Sequence, residues 1–500
     1  KKYHYLVRVK IMIDNTNIPI KPPAPNSIEA ERWQHTGLRR RMIQGTWMDD
    51  LEEELLTHLS ADRRESWGVA DLSSNPLEQV TRQLAVLYQD LPIVTNSNQA
   101  DISSLIGRNG LITQAGFFPL MQRVQQLVLA LRECFVRIDV VPHVQGIQVR
   151  DAGIRYRPVT PDYVICKSSE DNPDQPIYYQ EWRLRYNKNK DRYEWIADVL
   201  DITDLNNPLF GMYRINSNGL LTEDVSELYM GHPTHKGDNY PYRDSTGKPF
   251  LPVQLYRAEK TGQLWNSFDA STLVYGSLTS AVLFSMYLHL VKDCCYSQKY
   301  IAGLQLAGQS AIDQDNSARR SSIATDPASI LVFNSDPDVN GQPLIGAFQP
   351  AADPEKMLES IAKYEFRVAT TAGISSEVLR TSGDPRSGYA LSISREGQRE
   401  AQRKYAPVFR LYDELLISKT AALANRFLKT NLPESGYRVQ YTQLKLSPEE
   451  MKSNREDVIQ KLTAGLISPV DAIMQLNPDL DDIEARKELI RIRKERAEFM

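Results

Sequence analysis

Arg380 and Arg386 lie in a stretch, Ile374–Leu391, that is rich in small and turn-forming residues. Ser375, Ser376, Ser382, Gly383, Pro385, Ser387 and Gly388 leave it no periodic apolar face, and Glu377 and Asp384 nearly balance its two guanidinium groups. Such a segment cannot bury a core of its own and must project from the packed body. One reading is a solvated hairpin with a frayed tip. The sharper one is a tip that touches something moving past it. Other chemistry is sparsely advertised. The chain has no GxxxxGK[ST] phosphate loop, no GxSxG elbow, no HExxH and no DxDxDG loop. His232 and His235 have no cysteine or further histidine nearby to complete a metal set, so they read as ordinary loop histidines. Carboxylates are scattered, with no evident acid/base couple. An enzyme, a cofactor and a bound metal are therefore not expected.

The elements that hold this loop are strongly patterned. Asp353 is a natural N-cap, Pro354 suits the first helical position, and Met357, Ile361, Tyr364 and Val368 form one stripe ending before Gly373. A much longer helix is expected from about Ser392 to Leu428, with Tyr405, Val408, Tyr412, Leu415, Leu423 and Phe427 apolar and Arg395, Arg399, Arg403 and Lys404 near its start. Pro407 falls inside it. An internal proline removes a backbone hydrogen bond and costs roughly 3 kcal/mol, so a kink is expected within the preceding turn.

Five hundred residues suggest two to four structural regions, and a net charge of −4 argues against bulk electrostatic coating of nucleic acid. The four cysteines, Cys134, Cys166, Cys294 and Cys295, include no CxxC pair and make no disulfide framework, and adjacent Cys294–Cys295 read as buried small hydrophobes in a reduced compartment. The first residues show no apolar signal core, although upstream residues could be missing because the chain starts at Lys1. Leu273–Val291 is long and apolar enough to span a bilayer. Its Ser277, Thr279, Ser280, Ser285 and His289, and the lack of a second such segment, favour a buried helix.

In chain order, Pro19–Ser27 is a proline-rich connector and Ser27–Ser60 looks like one helix, with Met48, Leu51, Leu55 and Leu59 on a face. Arg39, Arg40 and Arg41 read as a solvated corner, with a DNA or capsid contact as the alternative. Helices follow at Pro76–Leu87 and Leu120–Arg132. Then Phe135–Val141, Ile147–Arg150, Tyr163–Cys166, Ile177–Tyr186, Tyr193–Val199 and Tyr213–Ile215 alternate or run β-branched and aromatic. The strand Leu251–Tyr256 leads into a buried helix, Ser271–Tyr296. A small segment, Tyr300–Pro350, carries Arg319, Arg320, a strand at Ser329–Phe333, the turn Asn340–Gly341 and a second run at Pro343–Gln349. After the long helix come a strand, Tyr437–Leu446, and helices opening at Ser447 and Ser468, with a charged one at Asp481–Phe499.

That order of parts resembles the portal proteins of tailed double-stranded DNA bacteriophages. The resemblance rests on Leu251–Asp293, Ser329–Gln349, the run YAPVFRLYDELL within Asp353–Leu428, and Thr463–Asp482, and covers most of Leu77–Phe499. It implies an α+β, portal-type fold. Residues 1–270 would hold N-terminal helices and a β-rich wing, 271–299 a first stem helix, 300–350 a clip and 351–373 a second stem helix. A tunnel loop would occupy 374–391, a long wing and crown helix with its return strand 392–446, and a crown 447–500. It further implies a homo-oligomeric ring, usually of twelve copies, at one capsid vertex of the virion, assembled in the host cytoplasm. The ring packages, retains and ejects the genome. Double-stranded DNA fills its channel, and the terminase large subunit, a head–tail adaptor, and major capsid and scaffold proteins are its partners, with no membrane. Arg380, Ser382, Gly383, Asp384, Arg386, Ser387 and Gly388 would face DNA, and Arg319, Arg320, Asn340 and Gly341 would meet clip partners. DNA must slide, which suits weak phosphate contact without base readout. Pairing of the loop arginines with Glu377 and Asp384 of a neighbouring subunit is the plainer alternative. Two other classes stand beside this one: a membrane-anchored or scaffold protein, and a metal-dependent nuclease-like enzyme.

Overall fold

The structure is a computed structural model. It describes residues 28–58, 70–141, 153–187, 191–216, 219–226, 240–265, 271–295, 298–302, 330–333, 344–348, 353–372, 388–442, 448–476 and 482–499. It is mixed α+β, with several sheets joined by helices.

The first helical region is two helices, not one. α1 (Ile28–Gln44) stops at Gly45, whose φ of +70° reverses the chain without steric cost, and α2 (Met48–His58) restarts with Asp49 and Asp50 in its first turn. Leu51 and Leu55 are buried, as the spacing predicts. The arginine corner is a correction. Arg39 is buried and its Nη1 lies 3.5 Å from the Ala130 carbonyl; Arg40 donates to Asp162 at 2.7 Å; Arg41 grips Asp50 through two nitrogens, at 2.7 and 2.6 Å. Arg32, fully buried, donates to the carbonyls of Pro161 and Val164, both at 2.8 Å, and its guanidinium carbon sits 3.8 Å from the Trp265 ring centroid. A guanidinium carries five donors in a rigid fork, so it can serve buried carbonyls that a lysine would leave unmet. These arginines staple α1 to the body.

α3 (Pro76–Leu84) has Asn75 as N-cap, and Asn75 also donates to the Met42 carbonyl. A short strand β1 (Ile93–Asn96), single turns α4 (Ser103–Ile106) and α5 (Leu111–Gln114), and the apolar α6 (Phe117–Leu131) follow. β2 (Glu133–Val141) and β3 (Gly153–Val159) pair antiparallel. Next come β4 (Val164–Ser168), β5 (Pro176–Asn187), β6 (Arg192–Asp201), β7 (Leu209–Ile215) and β8 (Leu221–Asp224), a five-stranded antiparallel meander in that order. β9 (Val253–Arg257) returns to the other edge of β2. The expected strand Ile147–Arg150 and the two loop histidines lie outside the described residues.

The meander is covered on both faces. Trp182, Ala197, Val199 and Ile215 meet Trp33 of α1, with the two indoles edge to face at 4.9 Å. On the opposite face Tyr179 packs on Phe135 of β2. Between these sheets sits a buried ionic cluster. Arg137 of β2 reaches Glu181 at 2.9 Å and Asp198 at 3.0 Å, and Asp139, Arg157, Arg183 and Arg185 join it. Arg137 leads the charges that overcome desolvation and hold the Glu181 carboxyl far below its ordinary range. Breaking a buried pair by removing one partner strands the other charge. Arg137→Met should lower stability by about 3–5 kcal/mol, read as a drop in thermal melting temperature; an unchanged melt contradicts the cluster's internal position.

Candidate functional site

The remaining elements frame the segment between residues 372 and 388. α7 (Ser271–Cys295) is the apolar helix. By length and composition its first 21 residues could cross a bilayer, yet Leu273, Val274, Leu278, Ala281 and Val282 are packed into the core. Its serines are used internally. Ser277 Oγ accepts the Leu77 amide at 2.8 Å, Ser285 Oγ accepts the Asp71 amide at 3.0 Å, and Ser280 donates to Glu365 at 2.7 Å. Ser74 joins that last pair at 2.7 Å from Ser280. Buried hydroxyls with partners cost little, so a helix that looks membrane-like can be a docking rod for α3 and its neighbour.

β10 (Gln298–Ala302), β11 (Ile330–Phe333) and β12 (Leu344–Phe348) form a three-stranded sheet, with β10 central, parallel to β11 and antiparallel to β12. β10 escaped the sequence reading. Arg319, Arg320, Asn340 and Gly341 lie outside the described residues. The chain then turns into α8 (Pro354–Thr371), capped by Asp353, whose Oδ1 accepts the Glu355 amide at 3.0 Å. α8 lies along α7 with Ile361, Val368 and Ala369 buried. Gly276 is what permits the approach: a Cβ there would stand 2.7 Å from both methyls of Val368.

α9 (Gly388–Leu428) begins earlier than its periodicity suggests, so Gly388 and the three residues after it belong to the helix rather than to a loop. Arg380, Ser382, Gly383, Asp384, Arg386 and Ser387 lie outside the described residues. The helix runs uninterrupted through Pro407, which is exposed. Its early turns are anchored. Gln398 donates to the Gln83 carbonyl at 3.4 Å and Gln402 to the Thr442 carbonyl at 2.7 Å. Lys404 pairs with Glu259 at 2.6 Å, and Arg132 approaches the same carboxylate at 3.3 Å. The Lys404 hydrogen bond comes first among the influences that hold Glu259 below its usual range. A cavity of about 560 Å³ opens here, lined by Thr371, Ala372, Glu400, Lys404 and Glu259 among others.

The middle of α9 holds two groups that sequence reasoning missed. Asp413 is buried and accepts hydroxyls from Tyr88 at 2.8 and 2.9 Å, Tyr256 at 2.8 Å and Tyr441 at 2.7 Å. Burial pushes its carboxyl up to about 6, against the opposing pull of those three phenols. Lys419 gives its ammonium to the Val253 carbonyl at 2.6 Å and to Gln254 at 3.1 Å, and burial lowers it to about 8. A polar residue within an apolar helical stripe was the available signal. β13 (Tyr437–Gln440) pairs antiparallel with β1, and α10 (Pro448–Thr463), α11 (Pro469–Leu476) and α12 (Asp482–Phe499) end the chain. Cys134 and Cys166 are buried thiols, Cys134 pushed up by burial to about 12, whereas Cys294, expected to be buried, is only half-buried near the end of α7. Among the described residues no group of three or more metal-ligating side chains converges.

No protein-family model matches this sequence, and no curated protein matches it. Solved structures do resemble the chain. One is the neck of an empty GTA particle computed with C6 symmetry, 12% identical over 81% of this chain and 90% of that one, at a TM-score of 0.38. Another is the virion of a native gene transfer agent (GTA) particle, 14% identical over 83% and 92%, at 0.36. A third is the neck of a native GTA particle computed with C12 symmetry, 13% identical over 81% and 90%, at 0.35.

The α7–α8 contact generates a direct test. Gly276→Val should destabilise the chain by about 1–3 kcal/mol through overpacking. Adding Val368→Ala should recover part of that loss, a non-additive result that a thermal melt of the four variants measures. A Gly276→Val chain as stable as the wild type contradicts the close approach.

Proposed function

We propose that this chain is the portal subunit of a tailed-phage-type particle, a structural protein that assembles as a ring around double-stranded DNA. The observation that carries the reading is the succession of elements. Two packed helices, α7 and α8, are separated in sequence by a small three-stranded unit. The second of them leads through a Gly/Ser-rich stretch into a 41-residue helix that crosses the body. In this reading the covered meander is the wing, α7 and α8 the stem, β10–β12 the clip, and α10–α12 the crown.

Physical chemistry supports the assignment. The α7–α8 pair leaves Tyr275, Leu288, Leu358 and Phe366 exposed, apolar area that a neighbouring copy would cover. The Gly/Ser-rich stretch from Gly373 to Ser387 connects α8 to α9 in sequence, and its composition suits a loop that meets a sliding duplex. Arg380 and Arg386 would touch phosphates, which positions DNA without reading its sequence. Arg319, Arg320, Asn340 and Gly341 would meet the terminase large subunit and then the head–tail adaptor. Pro407 would bend α9 where wing passes to channel.

Electron microscopy of the purified full chain should show closed rings with an axial channel; a monomer overturns the proposal. In a packaging assay, Arg380→Ala with Arg386→Ala should reduce DNA retention or packaging while leaving the rings intact. Unchanged packaging contradicts the role given to those two residues.

A further inference from the structure

The Asp413 site lies outside anything the portal reading uses, and its geometry asks for an explanation. A carboxylate in the core usually has a cationic partner. Here the groups that contact the Asp413 carboxyl are three phenols, brought from the segment after α3, from β9, and from just beyond β13. The other titratable groups facing the site are Glu414 on the same helix, Arg410 toward Tyr441, and Tyr156 of β3, whose hydroxyl bonds Thr420. When ionised, Asp413 accepts all three hydroxyls, with Tyr88 shared between its two oxygens. When neutral, it must donate a proton somewhere. The Tyr88 oxygen is within reach and the Tyr88 hydroxyl lies 3.4 Å from that of Tyr441. The acid can thus donate to Tyr88 while Tyr88 turns its own hydrogen to Tyr441.

We propose that Asp413 and its tyrosine cage form a proton-operated latch, satisfied in both charge states, that tightens the joint between α9 and the β1–β13 ribbon on acidification. The sign follows from linkage. The folded carboxyl, pushed up to about 6, takes a proton more readily than the same group in an unfolded chain, near 3.8. This group therefore favours the closed form most fully at low pH, and that advantage is lost as pH rises through the folded value. Two pKa units correspond to a change on the order of 100-fold in the closing equilibrium.

Hydrogen exchange of β13 in the full chain tests it. Between about pH 5 and about pH 7.5, protection corrected for intrinsic rates should fall by roughly 10-fold in the wild type. It should stay flat in Asp413→Asn, which keeps an uncharged side chain of the same shape. A second measurement needs no variant: infrared titration of the wild type should reveal a buried carboxyl with a midpoint close to 6, apart from exposed carboxylates near 4. Parallel exchange profiles in the two proteins, or no carboxyl titrating above the ordinary range, overturn the proposal.

Discussion

One carboxylate fixed by three phenols is the constraint around which this chain closes. α9 is too long to be held by its ends, and its apolar positions alone would let it slide or rotate against the sheets. Asp413 removes that freedom, because hydrogen bonds from Tyr88, Tyr256 and Tyr441 fix both its rotation and its depth. The rings that carry those hydroxyls also make the local core, with Tyr256 against Phe409 and Tyr412, and Tyr88 against Tyr441. Burying the charge is unfavourable, and the specificity it confers is the compensation.

The same logic recurs wherever elements distant in sequence meet. Ser277 and Ser280 register α7 against α3 and α8, Ser285 holds the segment just before α3, and Arg32 and Arg40 register α1 against the turn after β3. Apolar contact supplies the driving force but tolerates slippage; directional donors decide which alignment wins. The body that results holds rigid rods at both ends of the stretch given the DNA-facing role.

Local signals made much of the secondary structure legible. Asn75–Pro76 and Asp353–Pro354 announce helix starts that the structure keeps. The β-rich region was readable because its strands are long, aromatic and alternating. What failed were features defined by partners. β1 is four residues with Ile93 exposed, and only its pairing with β13 makes it a strand. Arg39 looked solvated because a basic triplet usually is, and nothing local says that the Ala130 carbonyl awaits it. The Asp413 cage was illegible for the same reason. The candidate DNA-facing and clip residues stand on composition and order of parts, with the described framework around them.

The antiparallel ribbon of β1 and β13 carries a consequence for biosynthesis. Tyr88 and Asp413 are 325 positions apart, and Asn96 donates to the Ser435 carbonyl across 339. Neither bond can exist until the ribosome has delivered Asp413 and Ser435, more than three hundred residues after their partners, and contacts of such separation form slowly once it has. The emerging N-terminal half can settle its meander early, but it must wait with an open seam for a helix not yet made. Closure of the fold is thereby tied to the late arrival of α9 and β13, so a chain that stops short of them keeps this seam open.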